Sequence, residues 1–146
     1  MPSFGKVGSF FRLIRWKNLL IIAITMVLMR YAIIDTLIGN IKVSLHGQGN
    51  NIPLSLQFPL FDFIVLVFST ICIAAGGYII NDYFDIKTDL INKGKVIVGT
   101  SMSRQRAMMW HNIFNVLGVA GGFYVSARSG YVWFGVIFLL ISGLLY

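Results

Sequence analysis

From residue 60 to residue 80 the chain carries one charged side chain, Asp62, and at residue 81 it turns abruptly polar. At about 1.5 Å per helical residue, such a run covers the roughly 30 Å hydrocarbon core of a bilayer. In lipid a run of this kind folds as a helix, because its backbone polar groups must be satisfied within the segment. The stretch that follows, Asn81-Asp82-Tyr83-Phe84-Asp85-Ile86-Lys87-Thr88-Asp89, holds three of the five acidic residues in the protein. Carboxylates at the end of a membrane-length segment are costly to place, which makes them a functional hypothesis by default.

Composition agrees with a membrane setting. The 146 residues are 57% hydrophobic and 12% charged, with mean hydropathy +0.79, against roughly 25% charged in an average soluble domain. The length suits one domain. The net charge of +7 comes from 12 Lys/Arg against five Asp and no Glu. In a membrane protein such an excess marks loops facing anionic lipid rather than nucleic acid. The one cysteine, Cys72, lies inside the apolar run; it excludes an internal disulfide and reads as a small core residue. Lys6, Arg12, Arg15 and Lys17 before an apolar stretch mimic a signal peptide. The following Arg30-Tyr31-Ala32 is no small-x-small cleavage site, and more apolar segments come after it.

The spacing predicts an all-α transmembrane bundle with four spans, at about residues 18–38, 60–80, 107–125 and 131–146. Before them, Phe4, Phe10, Phe11, Leu13, Ile14 and Trp16 alternate with Arg12, Arg15 and Lys17, as in a short helix lying at the membrane surface. Arg30, roughly 20 Å beyond Trp16 along the first span, is expected to snorkel to the outer interface, with a buried, functional Arg30 as the alternative. Residues 39–59 read as a loop from their Gly, Asn and Pro content. Within it, Gly47-Gln48-Gly49-Asn50 lacks the preceding strand of a phosphate-cradling loop, and His46 stands alone. Asp62 suits a helix N-terminus, and Ala74-Ala75-Gly76-Gly77 suits close helix packing. Lys/Arg residues crowd the N-terminal arm and the loop 87–106, so the positive-inside rule puts both, and the acidic motif, in the cytoplasm. The last run, from residue 132, has no charge and no polar exit and is short for a span; the expectation is a chain that continues, or a truncated copy.

On a helix at about 100° per residue, Asn81, Asp82, Asp85, Asp89 and Asn92 all fall in one sector roughly 100° wide. The result is an oxygen-rich stripe. Hard oxygen donors of this kind suit Mg²⁺, which is commonly held by one or two carboxylates plus substrate phosphates. Lys93 and Lys95 follow and can neutralise a diphosphate as point charges. Carboxylates, lysines and a membrane together point to a lipid diphosphate. An EF-hand is excluded, because Phe84 breaks the ligand spacing and the chain has no Glu.

Asn81-Asp82-x-x-Asp85-x-x-x-Asp89 resembles the first aspartate-rich motif, NDxxDxxxD, of the UbiA superfamily of intramembrane prenyltransferases. The following Asp89-Leu90-Ile91-Asn92-Lys93 is similar to that family's usual continuation, and Arg15-Trp16-x-Asn18 is more loosely similar to its N-terminal R-P-x-N stretch. The resemblance implies that residues 1–146 are the N-terminal part of a single transmembrane prenyltransferase domain, four of about nine spans. It implies transfer of a prenyl group from an allylic diphosphate to a lipophilic acceptor in the bilayer, with Mg²⁺ as cofactor. Asp82, Asp85 and Asp89 would be catalytic, Asn81, Asp85 and Asp89 would hold metal, and Lys93, Lys95 and Asn18 would contact substrate. The lead-in and basic loop look most similar to bacterial members that are geranylgeranylglycerol-phosphate geranylgeranyltransferase-like, which implies a bacterial inner membrane. Quinone-precursor (4-hydroxybenzoate or naphthoate) and haem prenylation stay open. The family's second aspartate motif does not occur in these residues, so the visible chain alone is expected to be inactive, and a non-catalytic truncated membrane protein is the competing expectation.

Overall fold

The computed structural model describes residues 6–44, 51–53, 55–86, 90–91 and 96–144. The first element is α1, Lys6–Leu13. It closes at an elbow where Arg15 takes a left-handed conformation (φ 52°, ψ 52°), and α2, Trp16–Leu28, leaves from there. Without interruption α2 runs into a π-helical turn, Met29–Ile34, and then α3, Asp35–Gly39. Together Trp16–Gly39 make one apolar rod of 24 residues, whose most apolar 18-residue stretch has mean hydropathy 2.0. Leu20, Ile21, Ile24, Val27 and Leu28 stand exposed along it, as suits a lipid-facing helix.

Strands β1, Lys42–Ser44, and β2, Asn51–Pro53, then pair antiparallel, with Val43 opposite Ile52. Within the loop expected over 39–59, residues 42–44 and 51–53 are thus strands and not irregular chain, whereas 55–59 are without regular structure as expected. The β-branched Val43 and Ile52 favour extended backbone and outweigh the Gly/Asn content around them. His46 and Gly47-Gln48-Gly49-Asn50 lie outside the described residues.

Helix α4, Leu60–Phe84, starts after Pro59 and runs four residues past the predicted end of the second span; its most apolar 18-residue stretch has mean hydropathy 2.4. The segment 96–103 returns the chain through a turn at Gly99, whose φ of 93° is one that L side chains rarely adopt. Helix α5, Arg104–Arg128, is capped by Ser103, whose Oγ accepts from the Arg106 N–H at 3.4 Å. Helix α6 is Val132–Leu144.

Among the described residues, the rod Trp16–Gly39 and α4 are the helices long and apolar enough to cross a membrane. Helix α5 is as long as α4 but carries Arg104, Arg106, His111, Asn112 and Asn115 in its first half. The composition and these helices describe a helical membrane protein.

Helices α4 and α5 pack closely along a seam of small residues. A Cβ placed on Gly118 would come within 2.7 Å of Ile73 and 3.0 Å of the Ser69 carbonyl, and one on Gly121 would collide with the Ser69 hydroxyl. From the predicted patch, Ala75 and Gly76 are buried in the packing, whereas Gly77 has nothing within 4 Å.

The main core sits at the acidic end of α4. Leu13, Ile14 and Leu19 from the elbow meet Ala75, Ile79 and Ile86, and Val98 and Ala107 close the far side. Phe10 of α1 packs on Trp110 and Phe114 of α5, with ring centroids 5.0 and 6.3 Å away. Three separate stretches of chain are thereby anchored around the end of α4.

Candidate functional site

The last turns of α4 carry Tyr78, Asn81, Asp82 and, as the C-terminal cap, Asp85 (φ −82°, ψ 8°). The Asp85 N–H donates to the Asn81 carbonyl at 3.0 Å, so these two residues stand one helical turn apart. Helix α4 stops at Phe84, and Asp85 leaves the helical conformation. The chain is helical again at Ile86 and at Leu90 and Ile91, so the break described in the predicted stripe is the one residue Asp85. Asp89, Asn92, Lys93 and Lys95 lie outside the described residues.

Within the motif the carboxylates have different surroundings. Asp82 is 18% exposed at its side chain and takes the guanidinium of Arg15, Nη2 to Oδ1, at 3.0 Å. The same guanidinium lies over the Tyr78 ring, 5.0 Å from its centroid. Asn18, one turn beyond Arg15, donates Nδ2–H to the Tyr78 hydroxyl at 3.5 Å. Among the described residues, no side-chain hydrogen bond or ion pair engages Asn81 or Asp85. Asn81 is exposed and Asp85 half-buried.

Two oxygen-donor side chains one turn apart at a helix end fit one side of a hard-cation site of the Mg²⁺ type. Among the described residues, no group of three His, Cys, Asp or Glu could hold a metal ion. The pair Asn81 and Asp85 is thus a partial donor set, to be completed by ligands from elsewhere, substrate phosphate included.

The charge around this end is positive. Arg12, Arg15 and Lys17 ring the elbow, and Arg104 and Arg106 start α5. Arg104 lies over the Tyr83 ring at 5.9 Å. Beside α4, Tyr83, Arg104, Gln105, Met108, Met109, Asn112 and Ile113 line an open groove of about 570 Å³.

Three polar features away from the motif were less visible in the sequence. His111 is buried, with Nδ1 3.0 Å from the Gly76 carbonyl, and Asn115 Nδ2 lies 3.0 Å from its Nε2. At the other end of α4, Asp62 is buried; it accepts from the Tyr124 hydroxyl at 3.1 Å and lies 3.6 Å from Arg128 Nε. Arg30 does not snorkel. It is 9% exposed, donates Nη2–H to the Phe58 carbonyl at 2.6 Å, and sits 4.6 Å from the Phe63 ring centroid. The aromatic residues that enclose it draw the guanidinium inward. No local pattern announces the Arg15–Asp82 pair, because its members are far apart in sequence. Only the acidic motif and the Arg15-x-x-Asn18 stretch mark its two halves.

Residues 52–146, about two thirds of the chain, match the UbiA prenyltransferase family. The chain is also similar to the digeranylgeranylglyceryl phosphate synthase of Methanosarcina barkeri, with 29% identity over 133 residues. That alignment covers 88% of this chain and 42% of the relative, so the chain spans less than half of the relative's length. No solved structure matches the chain.

Proposed function

Because the chain belongs to the UbiA prenyltransferase family, we propose that it forms the N-terminal part of a single domain that transfers a prenyl group from an allylic diphosphate to a lipophilic acceptor. The observation that carries this reading is the pair Asn81 and Asp85, unengaged by other described side chains at the end of a membrane-length helix. Asn81 and Asp85 would hold Mg²⁺, with Asp89 of the same motif. Bound there, Mg²⁺ supplies charge neutralisation for the departing diphosphate. Lys93 and Lys95 contribute further positive charge to it, and Asn18 approaches the same end from α2. The bond between the prenyl C1 and the diphosphate oxygen breaks with its electron pair going to the diphosphate. The acceptor oxygen then bonds to C1 and gives up its proton. Exposed apolar side chains of α2 and α4, such as Leu20, Ile24, Ile64 and Phe68, offer the isoprenoid tail an apolar surface.

An isoprenoid glycerol phosphate is the acceptor class we favour, on the similarity to the Methanosarcina barkeri synthase along most of this chain. The positive-inside pattern supports a cytoplasmic site, and the likeness of lead-in and loop supports a bacterial cell membrane.

The test is mass analysis of products from the protein expressed from its complete reading frame, supplied with mixed allylic diphosphates and acceptors. The expected product is a prenyl ether of the glycerol phosphate, with turnover abolished by EDTA and restored by Mg²⁺. Asp85→Ala is expected to lower turnover by at least about 10²-fold. Undiminished turnover by a folded Asp85→Ala protein overturns the ligand assignment. A prenylated aromatic product instead overturns the acceptor assignment.

A further inference from the structure

We propose that Arg15 and Asp82 form a positioning pair, in which Asp82 anchors the α1–α2 elbow to the end of α4 and does not itself ligate metal. The inference rests on Asn81 and Asp85 being the metal-holding residues, as proposed above.

Asp82 already has an oxygen committed to a guanidinium nitrogen 3.0 Å away. A divalent cation on the same carboxylate would sit within a few ångström of that fixed positive charge, and the like charges repel. Asn81 and Asp85 carry no such cation among the described residues. The motif therefore divides its labour: one carboxylate faces the protein's own cation, and the neighbouring donors are left available.

Arg15 is built for this contact. Among the described residues it is the one non-glycine with positive φ. Such a conformation persists where surrounding contacts over-determine it, and three of them do so. Its guanidinium is held by Asp82 and lies on the Tyr78 ring. The residues before it, Leu13 and Ile14, are buried in the core. One turn after it, Asn18 bonds to the Tyr78 hydroxyl. The elbow thus grips α4 at Tyr78 and Asp82, which share a face one turn apart, and Ile86 in the same core lies directly after Asp85. Loosening the pair frees the helix end that carries Asn81 and Asp85.

The test is a double-mutant cycle on the protein from its complete reading frame, read by Mn²⁺ alone in an electron paramagnetic resonance titration. If Arg15 positions the site, Arg15→Gln weakens Mn²⁺ binding by about tenfold, as loss of an outer-shell partner does. If Asp82 were a ligand masked by Arg15, removing that cation would tighten Mn²⁺ binding. The two readings differ in sign. Asp82→Asn is expected to weaken binding by about as much as Arg15→Gln, and the double variant by no more than either single one. Arg15→Lys, which keeps the charge, is expected to recover most of the affinity, and it gives a reading should Arg15→Gln fail to fold. Tighter Mn²⁺ binding by Arg15→Gln, or additive losses near a hundredfold in the double variant, overturns the inference. A parent protein that binds no Mn²⁺ and forms no product overturns the proposed function and this inference with it. A parent that does both, with an additive cycle, overturns the inference alone.

Discussion

Arg30 shows how far a single side chain can depart from its sequence environment. Its Nη2 has the Phe58 carbonyl, but Nε and Nη1 are buried without a hydrogen-bond partner among the described residues. The rings of Tyr31, Phe58 and Phe63 lie within 5.6 Å of the guanidinium carbon and supply quadrupole attraction in place of hydrogen bonds. Orphaned buried donors cost about 1–3 kcal/mol each, more when charged. An apolar side chain of similar reach removes that penalty while keeping the packing. Arg30→Met is therefore expected to leave the melting temperature in detergent unchanged or raised. Arg30→Ala opens a void and is expected to destabilise by about 2–5 kcal/mol. Equal losses in both variants would show that the guanidinium itself stabilises the fold. The burial of Arg30 could not be read from the sequence, because it depends on where Phe58, just ahead of α4, and Phe63, within it, arrive.

At the scale of helices, α4 and α5 approach as closely as their glycines permit. Gly118 faces Ile73 and a backbone carbonyl that cannot swing aside. Gly118→Ala is expected to destabilise the protein by about 1–3 kcal/mol through overpacking. Gly77→Ala meets nothing and replaces a flexible residue inside a helix, so it is expected to be neutral or to stabilise by up to about 1 kcal/mol. Melting curves of both variants in one detergent check the contrast, and equal shifts would refute the packing register. The start of α4 was legible, since an apolar run after Pro59 leaves little choice. The small-residue patch was legible as a packing surface, but which of its glycines faces α5 was not, because a short patch does not fix helix rotation. The break at Asp85 was not legible for a related reason. Periodicity carries the wheel smoothly from Asn81 to Asn92, and only the backbone turn at Asp85 shows that it is interrupted there. The place of the acidic motif at the end of a membrane-length helix was legible, whereas the pairing of Asp82 with Arg15 needed the third dimension.

Across the whole molecule, the ends of the helices sort by charge. The rod Trp16–Gly39 leads away from the acidic motif for about 36 Å, and α4 returns over a similar length. Arg12, Arg15, Lys17, Arg104 and Arg106 gather at the motif end. At the other end Arg128 faces Asp62, Arg30 is buried, and Lys42 lies in the hairpin. An excess of this kind fixes orientation when it lies close to the ends of the spans. The orientation proposed above puts the core that builds the motif end, with Val98 and Ala107 behind it, on the cytoplasmic side. Two exposed reporters test this: Ser101 beside the motif and Asn40 at the end of the rod. Cys72 is 2% exposed, so it contributes little background to a membrane-impermeant maleimide. In intact cells Asn40→Cys is expected to be labelled and Ser101→Cys to be protected until the membrane is permeabilised. The reverse pattern would put the acidic motif outside, away from the charge asymmetry that argues for it. Labelling of both in intact cells would show that Trp16–Gly39 does not cross the membrane, and the orientation would fall with it.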